Sequence, residues 1–306
     1  MTSKWQTLTV DNDLFVGNDD GYTNGLFFSE YQIRADNQGI ELPEWIVPFS
    51  LLPNTYTNDY STKVHAQTVG QIMMTPQDIT ISNPNQGTVP YSGLLFLNRS
   101  VLDVRADSAD KFSATIGIVG PASLAGDSQE IIHEALDSDD PKGWGTQLDN
   151  EVVFSLSRGK AWRSWTSPKQ KADVVTMVDA QVGTIESFVR TGVIVRYGEH
   201  LDNSYASALL AQSRASNPLS ANGGWFVFSS VIFGYTFNQI FYDGNTFEDS
   251  RSVDYRHESL GLSAGVAYSI GDLSLTMAVY NLNAFEHKSD LADASRFGTF
   301  TFAWKA

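Results

Sequence analysis

The sequence predicts an all-β protein: one closed, twelve-stranded antiparallel β-barrel of membrane-spanning length, with a short helix in a single loop. Three observations predict it. Apolar residues recur with a period of two, most of the segments so patterned are long, and their number is even. In "LSLTMAVYNL", Leu273, Leu275, Met277 and Val279 are apolar and alternate with Ser274, Thr276 and Ala278. In "FGTFTFAW", Phe300, Phe302 and Trp304 alternate with Thr299, Thr301 and Ala303. In "WFVFSSVIFGYTF", Trp225, Val227, Val231, Phe233, Tyr235 and Phe237 share one face. Such alternation gives strands with one apolar face and one smaller or more polar face.

Taken in order, the predicted strands cover 5–16, 23–36, 61–75, 91–106, 109–119, 145–159, 171–183, 186–199, 222–238, 251–269, 271–286 and 294–306. Most exceed the ~5–6 residues usual in soluble sheets, and many reach the ~9–11 that cross a bilayer at a tilt. An even set of long alternating strands fits an outer-membrane barrel. Trp5, Tyr91, Trp144, Trp225 and Trp304 lie near strand ends, as interfacial girdles require. A soluble barrel or sandwich is the alternative that the alternation leaves open.

Composition bounds the rest. The chain has 306 residues with no evident linker, so a single domain over 1–306 is expected. No run approaches the ~18 apolar residues of a membrane helix. The absence of cysteine removes disulfide scaffolds and thiolate metal sites. A formal net charge of −15 argues against nucleic acid as a partner, which needs a basic surface. It suits a surface that binds divalent cations. "MTSKWQTLTV" lacks the apolar core of a signal peptide. A cytoplasmic chain, or a mature chain with an added Met, would begin this way.

Parity then gathers the chemistry. In an up-and-down barrel all connections after odd strands lie at one end. Here these are 17–22, 76–90, 120–144, 184–185, 239–250 and 287–293. The third, "GPASLAGDSQEIIHEALDSDDPKGW", predicts a helix over 127–137. Asp127 would cap it, with Glu130 three residues on. Gln129, Ile132, His133 and Leu136 form a stripe expected to face the barrel, with Glu130, Glu134 and Asp137 outward. His133 on that stripe reads as a general base or as a solvated helix histidine. No G-x-S-x-G is present, so a serine-nucleophile elbow is not indicated.

The same end holds "DNDLFVGNDDGYTNG", residues 11–25. An EF-hand alignment on Gly21 puts Val16 at the first ligand position and Phe27 where Glu is required, so that loop is excluded. Asn12 and Asp13, adjacent on a strand, can serve one site only at a strand end or bulge. Ordinary turn chemistry suffices for Asn18, Asp19, Asp20 and Gly21.

Three motifs, "NDLF…DDGYTNG", "PYSG" and "GIVGP…Q…H…GW…Q…NE", resemble the lipid A 3′-O-deacylase family, LpxR. The resemblance runs the length of the chain in strand count and loop order. It implies a monomeric barrel of the Gram-negative outer membrane that meets lipopolysaccharide at the outer leaflet. There it would remove 3′-linked acyloxyacyl chains from lipid A in a Ca²⁺-dependent reaction. It implies His133 as catalytic base, with Asn12, Thr23 and Gln129 in the site, and Asp13 and Asp139 as metal ligands. Two positions depart: Asp139 stands where a Glu is expected, and Ile81 where a Lys contributes. The rival reading is a non-catalytic barrel, a small porin or a lipopolysaccharide-binding structural protein.

Overall fold

A computed structural model describes residues 2–16, 22–35, 61–210, 224–282, 284 and 296–306. Twelve strands form one closed antiparallel barrel, each paired with its sequence neighbours and β1 closing on β12. They are β1 Thr2–Asn12, β2 Tyr22–Ala35, β3 Thr62–Met74, β4 Ser92–Val104, β5 Ser108–Val119 and β6 Glu151–Thr166. The others are β7 Ala172–Gly183, β8 Glu186–Gly198, β9 Gly224–Gln239, β10 Glu258–Ile270, β11 Leu273–Asn281 and β12 Arg296–Lys305. Closure runs in register from Trp5↔Lys305 to Asn12↔Gly298.

The large apolar residues point outward. Trp225, Val227, Val231, Phe233, Tyr235 and Phe237 on β9 are all exposed, and their lumen-facing neighbours Ser230 and Thr236 are buried. A soluble sandwich buries its large apolar face. The opposite arrangement, repeated around the wall, is that of a barrel in lipid. No helix is long and apolar enough to cross a membrane among the described residues.

Side chains fill the lumen. One apolar cluster around Phe27, Leu94, Phe96 and Phe241 sits at the end bearing the odd-strand loops. A second, around Tyr31, Leu102, Met177 and Leu209, sits at the opposite end. Hydroxyl and amide pairs line the wall, including Thr9–Thr301 at 2.9 Å, Ser29–Thr68 at 2.8 Å and Asn98–Ser113 at 2.7 Å. Two 3-10 turns of the β8–β9 connection, Leu201–Asn203 and Tyr205–Leu209, enter the lumen as a plug. Arg196 fastens it. Its guanidinium donates to both carboxylate oxygens of Asp173 (2.9 and 2.6 Å), to Ser204 Oγ (2.8 Å) and to the Leu201 carbonyl (2.7 Å). Among the described residues, this packing of the lumen speaks against the porin reading. Ser204→Ala is expected to cost about 1–3 kcal/mol by leaving a buried guanidinium proton unpaired. A lowered temperature for loss of compact gel mobility would register it.

Several boundaries differ from the sequence expectation. β1 stops at Asn12, because Asp13–Val16 wind into a 3-10 turn. β6 starts at Glu151 instead of 145, because Trp144–Thr146 form another such turn. The alternating segment 251–257 is not ladder. It folds over the rim, with Arg251 donating to Asn83 Oδ1 (2.6 Å) and to the Pro84 carbonyl (2.8 Å). The expected strand ends at 36, 222–223, 283, 285–286 and 294–295 lie outside the described residues, as do Asn18, Asp19, Asp20 and Gly21. Trp5 is no girdle residue: it shares the lumen face with Thr7, Thr9 and Asp11 and is buried. Tyr91 is buried against Trp144, whereas Trp225 does face outward.

Candidate active site

The end of β1 is built for polar groups. Asp11 faces inward and accepts a hydrogen bond from Thr299 Oγ1 at 2.7 Å. Asn12 is the last residue of the ladder, opposite Asn24 on β2. Strand alternation would send Asn12 and Asp13 to opposite faces. The 3-10 turn beginning at Asp13 breaks that alternation, which meets the strand-end condition for a shared site. Asp13 is buried. On β2, Tyr22 pairs with Met74 and Asn24 with Met73, so Thr23 is the extra residue of a bulge. The Thr23 side chain lies outside the described residues.

The second component is the loop after β5. Gly120, at φ 94°, turns the chain where a Cβ would lie 2.5 Å from the Asp149 carbonyl oxygen. The 3-10 turn Pro121–Ser123 and helix α1, Ala125–Leu136, then lie against the outside of the wall. Gly93 on β4 permits the contact: a Cβ there would meet Ala125 Cβ at 2.2 Å and Ser123 Oγ at 2.3 Å. Gln71 on β3 donates to the Ser123 carbonyl at 2.7 Å. The helix starts two residues before the predicted start. Leu124, in the left-handed conformation, precedes it with no side-chain cap, so Asp127 is not the cap. As an acid in the first turn, Asp127 still faces the positive end of the helix dipole.

This start sets the face that packs. Ala125 and Gln129 are buried, His133 is half-buried, and Glu130, Glu134 and Asp137 are outward as expected. Ile132 was expected against the barrel and is exposed, because the packed face is centred on Ala125 and Gln129 instead. The Leu136 side chain lies outside the described residues.

Two local contacts give the helix its chemistry. His133 Nδ1 is 2.6 Å from the Asp139 carbonyl oxygen. A carbonyl only accepts, so Nδ1 carries the proton, and in the neutral ring Nε2 keeps its lone pair. The chain reaches this position through Asp137, in the left-handed conformation at the end of α1. The Asp139 carboxylate is on an exposed residue, so its backbone is what the structure joins to His133. Gln129 Oε1 accepts from Trp144 Nε1 at 2.7 Å, which fixes the amide and leaves the buried Nε2 without a hydrogen-bond partner. Trp144 stands edge-on to Tyr91 at 5.2 Å, and the Tyr91 hydroxyl donates to the Ile79 carbonyl at 3.1 Å. Burial pushes the Tyr91 phenol up to about 12, so it stays a neutral donor. Trp144 was read from sequence as a strand-end aromatic. Its place beside Gln129 has only the "GW" motif as a signal.

The ladder relates the two components. Asn12 pairs with Asn24, Asn24 with Met73, and Met73 with Gly93. Three inter-strand steps span about 14 Å. Along α1, eight residues carry the chain about 12 Å from Ala125 to His133. Helix α1 contacts β4 and β3.

Among the described residues no group of three His, Asp or Glu could hold a metal. The donors at the β1 end are hard oxygens: the buried carboxylates of Asp13 and of the inward-facing Asp11, together with a carboxamide and the carbonyls of a strand end and a bulge. That set suits Ca²⁺ held with water or ligand oxygens completing its shell. Ile81 is exposed and its loop carries no lysine, but the Lys142 amide donates to the Ile79 carbonyl at 2.8 Å, which brings a lysine from the helix loop beside it.

A family model described as "Outer membrane protein LpxR" matches residues 2–306. The comparison with curated proteins gives no match. Among solved structures, LpxR from Salmonella typhimurium is similar at TM-score 0.74 and 12% identity, covering 98% of this chain and 99% of that one. The translocator domain of autotransporter NalP from Neisseria meningitidis gives TM-score 0.39 and 8% identity, covering 99% and 86%. At these identities the likenesses speak for the fold alone, and the second is too distant to carry an argument.

Proposed function

Because the chain belongs to the LpxR family of outer-membrane proteins, we propose that it is a Ca²⁺-dependent esterase that removes 3′-linked acyloxyacyl chains from lipid A at the outer-leaflet end of the barrel. The observation that carries this reading is the imidazole of His133. It is oriented through Nδ1 by the Asp139 carbonyl, on a helix clamped to the outside of the wall. His133 Nε2 takes a proton from water as the water oxygen attacks the ester carbonyl carbon. The C–O bond to the sugar then breaks, and the imidazolium returns its proton to the leaving 3-oxygen. Gln129 Nε2, a buried donor fixed by Trp144, meets the oxygen on which charge develops. Ca²⁺ bound at Asp13, with Asn12 and Thr23 beside it, would supply positive charge for the same oxygen. Lys142, whose backbone is tied beside the departed lysine position, is assigned to a lipid A phosphate.

The placement suits an amphiphile. With α1 against the outer surface, acyl chains stay in the bilayer while the ester reaches the polar groups of the rim. Mass spectrometry of lipid A from cells expressing the chain, with and without chelator, tests the reading. Loss of the 3′ acyloxyacyl mass without chelator is expected, and intact lipid A in both arms would overturn it. Gly93→Ala is expected to lower the activity about 10²-fold, because α1 must lift from the wall and a shift of about 1 Å is that costly. Heat-modifiable mobility should remain, since the ladder through residue 93 does not need its side chain.

A further inference from the structure

The outward face of the barrel is not apolar all the way round. On β9 and β10, Val227, Trp225, Val266, Tyr268 and Ile270 carry the apolar surface down to the rim opposite α1. On β2–β4 it stops halfway, below Phe28, Val69 and Leu97. The next outward rows are Glu30↔Gln67↔Arg99 and Gln32↔His65↔Val101; one row further Arg34 is exposed, while its ladder neighbours Lys63 and Asp103 are buried. Arg34 and Arg99 are exposed, and neither makes an ion pair or hydrogen bond among the described residues. His65 lies between them and feels both charges. Glu30 accepts from Gln6 at 3.1 Å, on the side facing β1 and away from them. Below and beside them, Asp103 is shared by Lys63 and Arg105, and Asp110 by Arg105 and Arg158. A chain of net charge −15 thus places two exposed arginines, with a histidine between them, on one outward-facing sector.

We propose that this sector binds the phosphate headgroup of an anionic phospholipid in the leaflet on the far side from α1. Hydrocarbon at this level would leave two guanidinium groups without a polar partner among the described residues, which lipid-facing positions of a barrel tolerate poorly. A phosphate accepts two parallel N–H bonds from each arginine and a further bond from an imidazole. Seating headgroups at the level of Arg99 raises that leaflet, so the bilayer thins along β2–β4. The same strands carry the Gly93 contact of α1, so the thinned strip runs directly beneath the helix.

The test is native mass spectrometry of the full chain after delipidation and exposure to equal amounts of phosphatidylglycerol and phosphatidylethanolamine. The parent is expected to keep phosphatidylglycerol as the preferred adduct. The double variant Arg34→Gln/Arg99→Gln, folded by heat-modifiable mobility, is expected to lose about tenfold of that preference. Equal retention of the two lipids by the parent, an unchanged preference in the variant, or a dimer of the chain in place of lipid adducts would each overturn the proposal. It rests on the membrane placement of the barrel and not on the esterase reading, so the two fail separately.

Discussion

His133→Ala abolishes loss of the 3′ acyl chains while the barrel still shows heat-modifiable mobility: this is the largest effect expected of any single substitution here. Removing a general base typically costs ~10²–10⁴ in rate. The upper part of that range applies because the Asp139 carbonyl holds the ring in one tautomer. The fold is expected to be indifferent, since His133 is half-buried on a loop helix and the wall closes by strand pairing elsewhere. His133→Gln is expected to be as inactive, because an amide is not basic. Mass spectrometry of lipid A from cells making each variant is the measurement. Full activity in either variant would remove His133 from the mechanism.

Asp13→Ala is expected to give the second loss, of a different kind. Its carboxylate is buried at the rim, beyond Asp11, whose carboxylate already accepts from Thr299, so losing Asp13 is expected to cost most of the affinity for a hard divalent cation. Losing that cation removes several kcal/mol of stabilisation from a transition state bearing negative charge. Chelation of the parent should mimic the variant. Added Ca²⁺ should restore the chelated parent and leave Asp13→Ala silent. The β1 ladder to β2 and β12 ends at Asn12, so pairing survives the change. A parent that keeps full activity in chelator would refute the metal assignment and leave His133 untouched.

The barrel was legible because lipid imposes a strict code. The outward face of β9 and β12 survives in the sequence as a period of two, broken at Ser229 and Gly298, and parity alone sends Asn12 and His133 to one rim. What failed were places where tertiary contact overrides the local pattern. Segment 251–257 alternates like a strand, yet Arg251 is anchored to the β3–β4 loop. Trp5 reads as an interfacial aromatic, but one register step decides whether a side chain meets lipid or lumen. In the site, Gln129 was legible from the helical stripe. Ile132 was not placed correctly, because the left-handed Leu124 starts the helix earlier than the acidic cap signal at Asp127 suggested. The partner of His133 was illegible for a simpler reason: it is a main-chain carbonyl, which every residue carries.

The plug fastened by Arg196 has a consequence for the cell that makes this protein. A barrel made in many copies is a hole in the envelope at each copy unless it is stoppered. With Leu209 and Tyr205 packed in the lumen and Ser204 and Leu201 tied to the wall, copies of the barrel are expected to add little permeability to small solutes. Such cells should therefore keep their resistance to bulky antibiotics and bile salts at any expression level, and planar bilayers containing the protein should stay electrically silent.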